Sequence, residues 1–380
     1  MTRRANGEGT IRKRPDGRWE ASLRVGETRR YVYGPSKAEV AAQLHLLTRQ
    51  VQEVGSLPPA TRLTVAEYLD QWLAQAAPRL RPTTRELYGI VARCHIAPVL
   101  GTVKLARLTP LAVARAYALL AEKGASARTR HRAHRFLHKA LADAVRWGLL
   151  LANPCERVDA PRYQAKPKTL WTPAEVRAFL AALSQGQGGL YGPLFGFLLA
   201  SGCRRGEALG LRWDDYDAHT GCVRIERQVT WVGGRPVEQP PKTKAGSRTL
   251  TLPAWGVALL KQQRAQVLRW RLKGGAVPRG RPRRWDDGGR VFPSSTGKTP
   301  EPTSLRGALR ALCDRLELPR LTLHDLRHLS ISLLAMAGVP VKVAQQRAGH
   351  SSPSVTLSIY THVLGDGDAL AVEALDALAH

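Results

Sequence analysis

Four side chains near the end of the sequence have the types and spacing needed to attack a phosphate ester. His324 and Arg327 lie in the stretch T-L-H-D-L-R-H, and His350 and Tyr360 lie in the stretch A-G-H-S-S-P-S-V-T-L-S-I-Y. Arginine and histidine N–H groups neutralise the charge of a phosphate, and a phenol oxygen can then attack the phosphorus atom. The pattern predicts attack on a phosphodiester without a metal ion, with Tyr360 as the nucleophile.

The charge of the chain indicates a polyanionic partner. The sequence has 58 Lys and Arg residues against 30 Asp and Glu residues, a formal net charge of +28. The excess is +5 in residues 1–60, +10 in residues 61–165 and +13 in residues 166–380. Because every part of the chain shares this excess, we expect a polyanion such as nucleic acid to contact every domain.

Cysteine usage and hydropathy exclude several classes of protein. The five cysteines are odd in number and contain no C-x-x-C pair, which predicts a reducing compartment without a disulfide framework or a zinc site. No apolar run is long enough to span a membrane, and the first residues lack the apolar core of a signal peptide. We therefore expect a cytoplasmic, nucleoid-associated protein with no membrane association and no cofactor.

The residue pattern predicts a multidomain α+β chain. A small three-stranded sheet plus one helix is expected first, then an all-α helical bundle, then a mostly α domain with a small antiparallel sheet. Pro- and Gly-containing or charged linkers place these domains at residues 1–58, 63–162 and 168–380. The four chemical residues lie in the third domain, which must position them.

Basic residues of the first two domains are candidate DNA contacts. In the predicted sheet they share a face with Trp19 and Tyr31, or else the hairpin is structural and Trp19 belongs to its core. In the predicted helix from Ala127 to Gly148 they either follow the DNA phosphates or form a solvated face. The candidates are Arg12, Lys13, Arg14 and Arg18 in the sheet, and Arg128, Arg130, Arg132 and Arg135 in the helix.

Four stretches resemble conserved boxes of the tyrosine recombinases, the phage integrase family. They are S-G-C-R-R-G-E-A-L-G-L-R-W-D-D from Ser201, P-K-T-K-A-G-S-R-T-L-T-L-P from Pro241, H-D-L-R-H from His324, and A-G-H-S-S through Y-T-H from Ala348. They occur in the family's order over about 160 residues. The resemblance implies that the catalytic residues are Arg204, Lys242, His324, Arg327, His350 and Tyr360.

The resemblance also implies a role for each type of residue. Lys242 is expected to protonate the leaving 5′ oxygen, with Lys244 on the same turn as the alternative. Glu207 is expected to orient Arg204 or a histidine. Tyr360 is expected to form a 3′-phosphotyrosyl link, so that religation needs no ATP. Such an enzyme recombines DNA at specific sites, and thereby integrates or excises a mobile element.

The resemblance extends to the upstream domains and to assembly. It implies an arm-type DNA-binding domain, a SAM-like core-binding domain that closes a C-shaped clamp on DNA with the catalytic domain, and a homotetramer on core and arm sites. A directionality factor or DNA-bending protein is a further expected partner. An amphipathic tail from Gly365 to His380 is expected to pack on a neighbouring protomer, or else on its own domain. The alternatives are a type IB topoisomerase and a non-catalytic DNA-binding protein.

Overall fold

The computed structural model describes residues 9–25, 28–54, 62–164, 170–241, 244–272 and 285–364. The chain divides into two compact units, Met1–Lys166 and Pro167–His380. Within the described ranges, no helix is both long and apolar enough to cross a membrane. Small antiparallel sheets and many helices make up the units, so the predicted α+β class is confirmed.

The first unit begins with a sheet and one helix. The strands β1 (Thr10–Lys13), β2 (Trp19–Val25) and β3 (Thr28–Gly34) are antiparallel in that order, and α1 (Lys37–Val54) follows them. Gly17 in the turn between β1 and β2 has a φ of +83°, which glycine adopts without strain. Alternate residues Ala21 and Leu23 of β2 pack against Leu44 and Leu47 of α1. The helix therefore covers one face of the sheet and leaves the other to solvent.

A helical bundle completes the first unit. Its helices are α2 (Val65–Ala76), α3 (Pro82–Val91), α4 (Ala97–Leu100), α5 (Pro110–Glu122) and α6 (Ala127–Arg146). Thr64 and Glu67 form a capping box that begins α2, and Ser126 caps α6. A π turn, Ala92–Ile96, joins α3 to α4. Phe136 of α6 packs edge-on against Trp72 in the core, which fixes the buried face of α6.

The second unit is built around one fully buried helix. Its elements are α7 (Pro173–Ser184), α8 (Gly192–Ser201), α9 (Arg205–Gly210), β4 (Tyr216–Asp217), β5 (Cys222–Ile225), β6 (Gln228–Val232), β7 (Arg235–Gln239), β8 (Arg248–Thr251), α10 (Ala254–Leu272), α11 (Pro302–Arg315), α12 (Leu323–Met336), α13 (Val341–Ala348) and α14 (Pro353–Leu364). Strands β4, β5 and β8 form one sheet, and β6 pairs with β7 in a hairpin.

Helix α8 is apolar on all sides and packs against both α10 and α12. A Cβ atom on Gly196 would collide with the Leu259 side chain of α10, so any larger residue here would force that side chain to shift. Helix α10 continues to Leu272, and residues 273–284 lie outside the described ranges. The C-terminal end of α8 leads directly into the first candidate catalytic residue.

Candidate active site

Arg204 is held by the turn that links α8 to α9. Gly202 ends α8 in the left-handed region with a φ of +64°, and the Ser201 hydroxyl accepts the Cys203 backbone N–H at 3.2 Å. Arg204 then caps α9: its backbone N–H donates to Glu207 Oε2 at 3.0 Å, and its Nη1 donates to Glu207 Oε1 at 2.7 Å. One carboxylate therefore fixes both the backbone and the guanidinium of Arg204.

Glu207 is only 1% exposed, and its ionisation depends on neighbouring arginines. Burial alone would raise the pKa of its carboxyl group. The charge of Arg248 and the hydrogen bonds and charge of Arg204 outweigh burial and hold that pKa below its ordinary value. Glu207 is therefore an anion that accepts hydrogen bonds from two arginines.

Arg327 reaches the same turn from α12. Its side chain is in the core, since the residue is only 2% exposed, and its Nη1 donates to the Gly202 carbonyl at 2.8 Å. Among the described residues, its Nη2 is buried without a hydrogen-bond partner. Burial, and then the charge of Arg204, lower the pKa of Arg327 to about 10, which leaves the guanidinium charged at neutral pH. A buried cation with an N–H group to spare is suited to binding an anionic oxygen.

His350 follows α13 and joins the two arginines. Gly349 ends α13 with a φ of +69°, and its carbonyl accepts a hydrogen bond from Arg204 Nη2 at 3.2 Å. The His350 ring is 8% exposed, and its Nδ1 lies 2.8 Å from the buried Thr356 hydroxyl. Burial, and then the charges of Arg327 and Arg204, lower the pKa of His350 to about 4. The imidazole is therefore neutral near pH 7.

Tyr360 lies on α14 in a small apolar cluster. It packs with Ile331, Ala335, Ala344 and Ala348 and is 6% exposed. Its hydroxyl donates to the Val339 carbonyl at 2.7 Å. Burial raises the pKa of the phenol above its ordinary value. In this arrangement the hydroxyl is protonated at neutral pH and donates to a backbone carbonyl.

His324 and Lys242 are the remaining predicted catalytic residues. His324 is exposed on the first turn of α12, one turn before Arg327, and its ring meets that of His328 edge-on with centroids 4.6 Å apart. Lys242 lies outside the described residues. The chain is described again from the short turn Lys244–Gly246 that leads into β8. The structure therefore describes five of the six predicted catalytic residues.

Sequence reasoning overlooked Arg248, although it stands in the box that begins at Pro241. It is 8% exposed at its side chain and donates from Nη2 to Glu207 Oε2 at 3.1 Å. Its Nε also donates to the Arg347 carbonyl at 2.7 Å. The arginine that ends P-K-T-K-A-G-S-R in that box was the available signal.

The N-terminal sheet separates the predicted DNA-binding residues onto two faces. Arg12 is opposite Glu20 on the solvent face, whereas Lys13 is opposite Trp19. Trp19 packs against the small core beside α1, so the expectation that Trp19 and Tyr31 share a face is wrong, because strand residues alternate between faces. Arg12 donates to Glu20 Oε1 at 2.8 Å, and the guanidinium of Arg14 lies 5.5 Å from the ring centroid of Tyr33.

Two stacked tyrosines mark the solvent face of that sheet. Tyr31 and Tyr33 are both exposed, with ring centroids 6.4 Å apart and planes 14° from parallel. Arg14 also donates to Glu20 Oε2 at 3.3 Å. Arg18 is exposed in the turn between β1 and β2. The exposed face therefore combines arginines with aromatic rings, as a nucleic-acid surface does.

The arginines of helix α6 also lie on different faces. Arg128, Arg132 and Arg135 are exposed, and their spacing of four and three residues puts them on one stripe, which Lys139 extends. Arg130 is on another side, half-buried, with its Nε buried and without a partner among the described residues. Three of the four predicted residues therefore form one basic stripe, and Arg130 does not belong to it.

Residues 171–365 match the phage integrase family, and residues 64–118 match its N-terminal SAM-like domain. A XerC-like tyrosine recombinase of Caldanaerobacter subterraneus subsp. tengcongensis is 28% identical over 92% of each chain. An integrase of Streptomyces ambofaciens is 28% identical over 94% of this chain and 93% of its own.

Two solved structures have a similar fold. The Tn1549 transposon integrase in complex with transposon right end DNA has a TM-score of 0.68 at 22% identity, over 84% of this chain and all of that one. The lambda integrase tetramer bound to a Holliday junction has a TM-score of 0.58 at 16% identity, over 94% and 96% of the two chains. The topoisomerase and non-catalytic alternatives find no support in these likenesses. With the family match spanning more than half of its length, the chain belongs to the phage integrase family of tyrosine recombinases.

Proposed function

We propose that this chain is a metal-independent, site-specific DNA recombinase that integrates or excises a mobile element. The observation that carries the proposal is the buried guanidinium of Arg327, whose Nη2 has no partner among the described residues, in contact with the turn that holds Arg204. The protein retains a desolvated cation there, although a lone buried charge is costly. A phosphate oxygen supplies the missing acceptor.

Arg204, Arg327 and His350 bind the phosphate of one phosphodiester. Arg204 and Arg327 donate to the non-bridging oxygens and stabilise the charge that develops on them. His350 is neutral because its pKa is near 4, so with Thr356 donating to Nδ1 its Nε2–H donates to the same phosphate. The site thus gathers donors and needs no metal ion for charge neutralisation.

Tyr360 and two proton carriers make and break the bonds. The phenol oxygen forms a bond to phosphorus, His324 takes the phenol proton, and the bond from phosphorus to the 5′ oxygen breaks. Lys242, or Lys244 in its place, gives a proton to that oxygen. The 5′ hydroxyl of another strand then attacks the 3′-phosphotyrosyl link and releases Tyr360, so no external energy source is needed.

Tyr360 must first leave the Val339 carbonyl that accepts its hydrogen bond. Tyr360 is on α14 and Val339 is in the loop before α13, so a movement of either segment would break this hydrogen bond. We place this release before cleavage, because a phenol of raised pKa bound to a neutral carbonyl is a poor nucleophile.

The domains take separate parts of the DNA. Residues 1–58 bind arm-type sites through the exposed face with Arg12, Arg14 and the tyrosine pair, residues 63–162 bind the core site through the α6 stripe, and residues 168–380 carry out the chemistry. Support comes from the net charge of +28 and from the lambda integrase tetramer, which is bound to a Holliday junction. We propose a homotetramer on DNA in the cytoplasm, associated with the nucleoid, with a directionality factor or DNA-bending protein as a further partner.

The test is covalent capture on a nicked suicide substrate made from the joined ends of the element. The wild type is expected to form a protein–DNA adduct that survives denaturant and is unaffected by EDTA. Tyr360→Phe should bind the same DNA and form no adduct, because phenylalanine lacks the attacking oxygen. Tyr191→Phe, a half-buried tyrosine of the same unit, is the matched control and should form the adduct normally. An adduct from Tyr360→Phe, or its loss in EDTA, would contradict the proposal.

A further inference from the structure

Arg248 ties together three segments that are distant in sequence. From the first residue of β8, its Nε donates to the Arg347 carbonyl at 2.7 Å and its Nη1 donates to the Gly246 carbonyl at 2.9 Å. Its Nη2 donates to Glu207 Oε2 at 3.1 Å and to Cys203 Sγ at 3.4 Å. All three nitrogens therefore serve protein acceptors.

This bonding separates Arg248 from the phosphate-binding arginines. Arg327 keeps Nη2 without a partner among the described residues, and the Arg204 side chain is about a third exposed. Arg248 is 8% exposed at its side chain, with each nitrogen engaged. A guanidinium bonded in this way holds protein segments together.

The packing around Gly349 shows how closely these segments fit. A Cβ atom on Gly349 would lie 2.8 Å from Arg248 Nη1 and 2.9 Å from the Ala245 carbonyl oxygen. The same glycine gives its carbonyl to Arg204 and precedes His350. The turn Lys244–Gly246 is therefore packed directly on the backbone that positions Arg204 and His350.

We propose that Arg248 is a positioning residue that sets the lysine-bearing turn in register with the phosphate-binding side chains. The proposal rests on the proposed function. Glu207 receives the Arg204 guanidinium on Oε1 and the Arg248 guanidinium on Oε2, so the two side chains share one anchor. Loss of Arg248 frees the turn at Gly246 and leaves Arg204 bound to Glu207. The expected defect is in proton delivery to the leaving oxygen, because proton transfer requires hydrogen-bond distance.

A sulfur leaving group isolates that defect. A 5′-bridging phosphorothiolate substrate expels a thiolate, which leaves without a proton. We expect Arg248→Gln to cleave the normal substrate about 100-fold more slowly than wild type, and the sulfur substrate within about 5-fold of wild type, in single-turnover assays at saturating protein. Arg204→Lys should remain slow on both substrates, because it acts on the non-bridging oxygens. The control Arg224→Gln, an exposed arginine of the adjoining strand β5, should match wild type on both.

The ratio of the two rates decides the proposal. Equal loss by Arg248→Gln on both substrates, or no loss on either, would overturn it. If Arg248→Gln does not fold, as judged by circular dichroism, Arg248→Lys keeps the buried charge with a single donor group and is judged by the same ratio. A wild-type protein that forms no adduct would instead reject the proposed function, and retention of wild-type cleavage with an unchanged ratio in Arg248→Gln would reject only this inference.

Discussion

At the scale of single residues, Arg327 combines deep burial with incomplete hydrogen bonding. It is 2% exposed, and its Nη2 has no partner among the described residues. We expect Arg327→Met to leave the free energy of unfolding unchanged or to raise it by up to about 2 kcal/mol, because methionine fills the volume without a desolvated charge. Cleavage should fall by about 10³-fold or more, since a donor to the developing charge is lost.

Urea unfolding and single-turnover cleavage measure the two effects separately. Arg310→Met, at an exposed arginine of α11, is the matched control and should change neither by much. Strong destabilisation of Arg327→Met with retained cleavage per folded molecule would show that Arg327 is structural.

His350 makes stability depend on pH in a defined direction. Its pKa is about 4 in the folded chain and about 6.5 in an unfolded one, so the unfolded state binds more protons between these values. Stability from this group is therefore complete above about pH 7 and declines as the pH falls towards 4, by about 1–2 kcal/mol between pH 7 and pH 5. His350→Gln should lose less thermal stability over that interval than wild type.

The measurement is the change in melting temperature of the full chain between pH 7 and pH 5. His219→Gln, an exposed histidine of the same unit, should behave as wild type does. An identical pH response of wild type and His350→Gln would mean that His350 is not held neutral by its surroundings.

At the scale of elements, the arginines of α6 lie on different sides of the helix, and only some of them can reach DNA. Its exposed stripe includes Arg132 and Arg135, whereas Arg130 is half-buried on another side. Each phosphate contact releases counterions, so we expect Arg132→Gln and Arg135→Gln each to reduce the slope of log K against log salt by about 0.9. Fluorescence anisotropy with core-site DNA over a series of salt concentrations gives these slopes.

Arg115→Gln on the neighbouring helix α5 is the control, because that arginine is also exposed but lies outside the stripe. An unchanged slope in the Arg132 and Arg135 variants would make the stripe a solvated face, which is the alternative that the sequence left open.

At the scale of the whole molecule, the tail concerns assembly. Residues 365–380 lie outside the described ranges, and their sequence predicts an amphipathic helix. We propose that the apolar side of the tail packs on a neighbouring protomer. We therefore expect a chain ending at Leu364 to bind a single core site nearly normally and to form synaptic complexes poorly. Gel mobility shifts on one site and on paired sites separate the two steps.

A full-length variant avoids the change in length. Leu375→Asp with Leu378→Asp should reproduce the synaptic defect, whereas Asp376→Asn, at a polar position, should not. Normal synapsis by the truncated chain would contradict packing on a neighbouring protomer and would favour a tail that packs on its own domain.

The amino-acid sequence by itself determined the α+β class, the order of the elements and the residue types of the candidate site. These features can be predicted because capping residues, periodicity and short boxes depend on residues that are close in sequence. Thr322 and Asp325, for example, form the capping box that begins α12. The same local reasoning placed Trp19 on the wrong face and grouped Arg130 with the α6 stripe, because the burial of a face depends on what packs against it.

Only the tertiary structure decided how the site is held and charged. The hydrogen bond from Arg327 to Gly202 spans 125 residues, and that from Arg204 to Gly349 spans 145, so no local pattern encodes them. The neutral state of His350 and the engaged hydroxyl of Tyr360 arise from burial and from neighbours on other elements. The anchoring role of Arg248 has the same origin. Desolvation and distant hydrogen bonds are properties of the folded chain, and they set what each side chain can do.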